Sequence, residues 1–209
     1  MRIGIFGGTF NPPHKGHVRI VEKMTEEMNL DKVLIIPNKK PTHKRCDDLA
    51  DNQHRLEMCK MAFHNPIYEV SSIEMDRDSD SYTIYTLNEL AEMYPDDEFF
   101  LIIGSDMFLI FNKWYKHKEL LERCTLCVAS RDNDDTIRQL RAYAFDTLGI
   151  YIKELDGKHV HISPMSAYEV SSSDIRARID EGKSIYGMTD PEIIEYMEKN
   201  KLYGYGKKR

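Results

Sequence analysis

The chain has 209 residues, 41% of them hydrophobic and 31% charged, and a formal net charge of −6. That is enough apolar material for a sizeable core in one large domain or two small ones. The acidic balance excludes a protein that coats nucleic acid or an anionic membrane, while leaving room for a small cationic pocket.

Residues 2–6 form a short apolar run ending at Gly7-Gly8 and read as a first buried strand, with no signal-peptide pattern around them. Over 17–28, Val18, Val21, Met24 and Met28 fall at helical spacing. A second strand, 33–37, closes on proline and a basic loop at 38–45, and a helix over 51–63 follows with Asp51 as its cap. A third strand at 68–71 precedes a helix over 81–93, where Ile84, Leu87, Leu90 and Ala91 share a stripe. The strongly apolar strand 99–103 stops at Gly104-Ser105-Asp106, and a short helix around 120–122 leads to a strand at 126–129. A helix over 134–148, a last strand at 159–162 and helices over 172–181 and 191–200 complete the chain, the last opened by the cap-and-proline pair Asp190-Pro191.

Strands alternating with helices predict a doubly wound α/β fold, a Rossmann-like parallel sheet buried on both faces. With no internal repeat, linker or low-complexity segment, residues 1–209 read as a single domain. No apolar run reaches membrane-spanning length. Cys46, Cys59, Cys124 and Cys127 lack the spacing of a secreted disulfide framework. Cys124-x-x-Cys127 lies in the 126–129 strand region, where residues three apart point to opposite faces, so both read as core thiols in a reducing, cytoplasmic location.

Ligands of open α/β sheets bind beyond the carboxyl ends of the strands. The first such end is Gly7-Gly8-Thr9-Phe10-Asn11-Pro12-Pro13-His14-Lys15-Gly16-His17. Glycines let backbone approach phosphate, and the following helix directs free N–H groups and its positive dipole end at an anion. His14 and His17, three apart at that helix start, can enter one site. The turn has neither a P-loop ending nor G-x-G-x-x-G, and the second strand ends in Pro37-Asn-Lys-Lys without an acid for a ribose. An isolated pair of this spacing would more often cap a helix or bind a metal. The full string, however, resembles the H-x-G-H turn of the nucleotidyltransferase superfamily, and in particular the bacterial nicotinate mononucleotide adenylyltransferases.

Val170-Ser171-Ser172-Ser173-Asp174-Ile175-Arg176 is by itself a capping sequence. It also resembles the family's I-S-S-T-x-I-R motif, which implies that Ser171, Ser172 and Arg176 hold ATP phosphates. The ending at 194–203 is similar to the family's closing helix, so the resemblance spans the chain. Ser81-Tyr-Thr-Ile-Tyr-Thr-Leu87 resembles S-Y-T-x-D-T-L, which implies Thr83 beside a nicotinate ring, with Tyr85 standing where the family has aspartate. A carboxylate suits that helix start physically.

Trp114, the only tryptophan, sits with Tyr115 in a polar loop; it reads either as an ordinary aromatic or as a stacking partner for a cationic pyridinium, the role the resemblance implies. Gly104 and Asp106 resemble the family's I-G-x-D turn at the nucleotide, the alternative for Asp106 being a helix cap. Residues 40–44 resemble a proline-proline-histidine-lysine loop and point to Lys44 as a phosphate ligand, with Lys39 and Lys40 weaker candidates. Arg131, at a sheet end, is a further nucleotide candidate.

The resemblance thus implies the nucleotidyltransferase fold and adenylyl transfer from ATP, with Mg²⁺, to nicotinate mononucleotide in NAD biosynthesis. His14 and His17 are the catalytic pair. Gly7, Gly8, Thr9, Phe10, Gly104, Asp106, Arg131, Ser171, Ser172 and Arg176 join them at ATP, while Thr9, Lys44, Thr83, Trp114 and Tyr115 take the acceptor. No protein-held metal, nucleic-acid partner or membrane is expected, and a homo-oligomer is left open. Rival readings are another acceptor (nicotinamide mononucleotide or pantetheine phosphate), a metal hydrolase built on His14, His17 and His43, and a non-catalytic nucleotide sensor.

Overall fold

The computed structural model describes residues 1–39, 48–131, 134–150, 159–165 and 170–206, with Arg131 described by its backbone. Their strands are β1 (Arg2–Gly8), β2 (Lys32–Pro37), β3 (Tyr68–Val70), β4 (Glu98–Gly104), β5 (Cys124–Arg131) and β6 (Val160–Met165). All pair in parallel, in the order β3-β2-β1-β4-β5-β6. The chain winds outward from β1 to β3, then returns to place β4 against β1. The order therefore reverses between β1 and β4, the crevice where such sheets bind ligands.

Each face of the sheet carries its own core. On one face α1 (Lys15–Glu27), α2 (Asn52–Ala62), α8 (Ser172–Asp180) and α9 (Pro191–Lys199) bury Val21, Met24, Met58, Ile175 and Met197 against Phe6, Ile35 and Ile102. On the other, α4 (Thr83–Met93), α6 (His117–Arg123) and α7 (Asp134–Asp146) bury Ile84, Leu87, Leu120 and Leu140 against Ile5, Leu34 and Leu101. Neighbours such as Leu34 and Ile35 enter opposite cores because strand side chains alternate. Burial of each such side chain contributes roughly 1.5–3 kcal/mol.

Cys124 and Cys127 obey the same rule, one in each core, and burial pushes both thiols up to about 12. Neither is a redox nucleophile at neutral pH. Cys46 and the Lys40–Lys44 loop lie outside the described residues.

Several elements differ from expectation. α1 starts at Lys15, two residues early, because the N-cap is His14. The single-turn helices α3 (Ile73–Asp76) and α5 (Ser105–Phe108) and a 3-10 turn at Phe111–Lys113 are too short to show periodicity in sequence. No described helix is long and apolar enough to cross a membrane.

Candidate active site

The turn after β1 is built from the inside out. Phe10 takes the left-handed conformation, φ 48°, which drives its ring into the core at 1% exposure. Gly8 makes room for it: a Cβ there would lie 2.9 Å from the Phe10 ring. Asn11, 1% exposed, donates to the Asp48 carbonyl and accepts from the Ala50 N–H and the Tyr203 hydroxyl. The chain then reaches α1 through two prolines, which contribute carbonyl acceptors but no donors.

Those carbonyls are claimed one after another by the C-terminal part of the chain. Arg176 Nη1 donates to Asn11 O at 2.9 Å, Ser172 Oγ to Pro12 O at 2.8 Å, and Thr189 Oγ1 to Pro13 O at 2.9 Å. The two expected phosphate motifs are therefore stitched together through the loop, and the N-termini of α1 and α8 converge. The proximity of Asp174, in the first turn of α8, to His14 is felt electrostatically.

His14 and His17 stack with ring centroids 3.7 Å apart and planes at 26°. His17 is the third residue of α1, and its Nδ1 accepts from the His14 backbone N–H at 3.2 Å. This reciprocal cap satisfies an orphan donor of the helix start and leaves the His17 proton on Nε2. Burial lowers His14 to about 4 against the opposing pull of Asp174. His17 is held well below its usual range, first by burial and then by the neighbouring His14. Both rings are neutral hydrogen-bond donors at pH 7.

Both serines are engaged within the protein in this structure. Ser171 caps α8: its Oγ accepts from Asp174 N and donates to Asp174 Oδ2 at 2.6 Å. The Ser172 hydroxyl proton is engaged on Pro12 O. A hydroxyl has one proton to donate, and here Asp174 Oδ2 takes that of Ser171 and Pro12 O that of Ser172. The donors left at this helix start are its orphan backbone N–H groups and the remaining N–H groups of Arg176.

Other candidates fall as follows. Thr9 places its carbonyl on Arg55 Nη1 at 2.8 Å, and its hydroxyl is 3.4 Å from Asn38 Nδ2. Gly7 is exposed at the end of β1. Asp106 does not cap α5; Gly104 occupies that position, and a Cβ on Gly104 would meet Asp106 Oδ1 at 2.7 Å. The carboxylate folds back over its own turn, into the space that the missing Cβ leaves. Lys39 is engaged elsewhere in the described residues, its Nζ on Arg77 O at 2.5 Å and near Asp78 at 3.6 Å. Arg131 ends β5, and its side chain, like all of Lys44, lies outside what the structure describes.

Thr83 is the first residue of α4, the helix start foreseen for a carboxylate. Its neighbour Tyr82 has its ring 4.9 Å from that of Tyr115, which brings the Thr83 and Trp114 segments together. Trp114 is half-buried and packs on Phe111 with centroids 5.2 Å apart. On another side of His14, a cleft of about 450 Å³ is lined by Lys15, Val18, His64, Tyr68 and Asp190; neither Thr83 nor Trp114 reaches it.

Sequence reading missed the support beneath the turn. Arg55 is fully buried and donates to Thr9 O, Asn38 O, Ala50 O and Asn52 Oδ1, fixing the ends of β1 and β2 together. An arginine on the stripe of α2 that also buries Met58, Cys59 and Ala62 was the available signal. Asn11, Thr189 and Tyr203 carried none. Among the described residues no three His, Cys, Asp or Glu side chains converge to hold a metal ion.

Residues 5–178 match the cytidylyltransferase-like family. The nicotinate-nucleotide adenylyltransferase of Bacillus subtilis is 34% identical, over 97% of this chain and 98% of its own length. The chain belongs to the nicotinate-nucleotide adenylyltransferase family. Two solved structures of Plasmodium falciparum nicotinic acid mononucleotide adenylyltransferase share its fold at 17% identity over 99% of both chains. The one complexed with NaAD superposes with a TM-score of 0.76, and the one complexed with APC with 0.73. The nucleotidyltransferase fold expected from the β1 turn is the one found, and the family makes the chain an enzyme.

Proposed function

We propose that this enzyme transfers the adenylyl group of ATP to nicotinate mononucleotide, giving nicotinate adenine dinucleotide and pyrophosphate in NAD biosynthesis. The observation that carries it is the meeting of the α1 and α8 N-termini, from opposite ends of the chain, around two neutral stacked histidines.

An acceptor phosphate oxygen attacks the α-phosphorus of ATP. That O–P bond forms as the bond to the β-phosphate oxygen breaks, and pyrophosphate leaves. A phosphate monoester has a second pKa of about 6 and is mostly dianionic at pH 7, so no general base is required. What the protein supplies is alignment of two repelling anions and donors aimed at the charge that builds on the phosphates. Neutral His14 and His17 donate without attracting a proton from the medium, and Arg176 carries the fixed charge.

Mg²⁺ enters with ATP as part of the substrate and screens the triphosphate. Gly7, Gly8, Thr9 and Phe10 shape the turn over the nucleotide. Gly104, Asp106 and Arg131 edge it, and Thr83, Trp114, Tyr115 and Lys44 take the acceptor. The cytoplasm, where ATP and the mononucleotide meet, is its location.

The test incubates the protein with ATP–Mg²⁺ and, separately, nicotinate mononucleotide, nicotinamide mononucleotide and pantetheine phosphate, and measures pyrophosphate release. Release is expected with the first. Release only with another acceptor keeps the chemistry and refutes the acceptor. His14→Ala and His17→Ala remain folded and each lose about 10²–10³ in kcat, the cost of removing a transition-state donor; wild-type turnover by either overturns the assignment.

A further inference from the structure

Position 85, aspartate in the resembling motif, is tyrosine in this chain. Tyr82 caps α4 and Tyr85 is its third residue, so their rings leave neighbouring positions of one helix face. They meet at 5.9 Å, edge to face. Tyr115 completes the group, its ring 4.9 Å from Tyr82 and 5.9 Å from Tyr85. The Tyr85 and Tyr115 hydroxyls also interact with each other.

Tyr115 needs such support. It is 45% exposed, sits in the connection leading to α6, and is followed by Lys116 in the left-handed region at φ 55°. Lys116 pairs with Glu119 at 3.0 Å and stands only at the margin of the Tyr115 ring, 6.0 Å from its centroid. The ring wall that holds Tyr115 is thus supplied from across the site by α4. An aspartate at position 85 has neither the ring to pack on Tyr115 nor the length of a phenol.

Resting on the acceptor reading above, we propose that Tyr85 is a positioning residue for the acceptor: it fixes the Tyr115 ring, and with it the Trp114–Tyr115 corner, in the orientation that receives the pyridine ring of nicotinate mononucleotide. Tyr85 itself acts through Tyr115.

The chain's single tryptophan makes this measurable, because Trp114 fluorescence reports on that corner alone. Nicotinate mononucleotide is titrated into wild type, Tyr85→Leu, Tyr85→Phe, Tyr115→Leu and the 85/115 double leucine variant, with KM and kcat measured in parallel. Tyr85→Leu is expected to weaken acceptor binding and raise acceptor KM about three- to tenfold, while kcat at saturation and the KM for ATP stay within twofold. Tyr85→Phe, which keeps the ring, falls between it and wild type. The double variant is no worse than the weaker single, since both remove one coupled unit.

An unchanged acceptor affinity in Tyr85→Leu overturns the proposal, as do losses that multiply in the double variant. A fall confined to kcat, or a KM for ATP that rises in step with the acceptor's, assigns Tyr85 a merely structural role and also overturns it. If wild type neither binds nor uses the mononucleotide, the acceptor reading itself falls and takes this inference with it.

Discussion

Replacing Arg55 by methionine tests whether the phosphate turn is held from below. The guanidinium is 0% exposed, and its strongest bonds run to Asn52 Oδ1 at 2.6 Å, Asn38 O at 2.7 Å and Thr9 O at 2.8 Å. Each charge-assisted bond contributes roughly 1.5–3 kcal/mol, and each buried acceptor left unpaired costs roughly 1–3 kcal/mol. The simple sum overshoots, because the variant no longer has to bury a charge; the orphaned oxygens of Asn52, Asn38 and Thr9, at roughly 1–3 kcal/mol each, set the scale. Arg55→Met is therefore expected to lose about 3–5 kcal/mol in equilibrium urea unfolding, read from the midpoint at constant slope. Because Thr9 and Asn38 move with it, kcat/KM should fall about a hundredfold at temperatures where the variant is still folded, the usual consequence of a ~1 Å misplacement. Arg55→Lys rescues little, having one point charge in place of a planar fork. A stability loss below about 1 kcal/mol with normal turnover would refute the reasoning.

Acidification should weaken the fold through His14. Its folded pKa is about 4 against 6.5 unfolded, so above pH 6.5 it contributes no pH dependence. Between pH 6.5 and 4 the unfolded chain binds a proton that the native state refuses, and about 3 kcal/mol is lost by the low end. The urea midpoint of wild type followed from pH 7 to 4, against His14→Asn, should show the difference; parallel curves would sink the assigned burial. Thr189→Val removes the donor to Pro13 O from a 2% exposed site and should cost about 1–3 kcal/mol, with no change in helix content by circular dichroism. Native protein should present at most one thiol, Cys46, to a disulfide reagent, and all four only after unfolding; rapid labelling of Cys124 or Cys127 would restore a redox reading of the C-x-x-C.

What was legible in the sequence was local. An apolar run into Gly7-Gly8, a histidine pair at helical spacing and a hydroxyl-rich capping sequence each announce themselves within a dozen residues. The parallel α/β architecture then follows from alternation, while the order β3-β2-β1-β4-β5-β6 is read only from the fold. The supports of the site were hidden because their partners are far apart in the chain: Arg176 reaches Asn11, Thr189 reaches Pro13 and Tyr203 reaches Asn11 across most of its length. Of the two readings of Asp106, the helix cap falls to Gly104, which in sequence looks like any other turn glycine. Tyr85 stood out as discordant in sequence, but its partner Tyr115 is brought to it only by the fold.

The long-range bonds also explain why the Ser172 hydroxyl sits on a backbone carbonyl. An anion site must present donors and hide acceptors. Asn11, Pro12 and Pro13 offer three consecutive carbonyls beside the α1 N-terminus, and the prolines offer no N–H in return. Left unpaired, those oxygens would set their negative ends against the triphosphate or hold water in its place. Arg176, Ser172 and Thr189 instead take one carbonyl each. With the acceptors occupied, the α1 and α8 helix starts and the two neutral imidazoles remain as donors beside the turn. In the proposed reaction the second motif would serve ATP twice: directly through helix N–H groups and Arg176, and indirectly by silencing the carbonyls of the first.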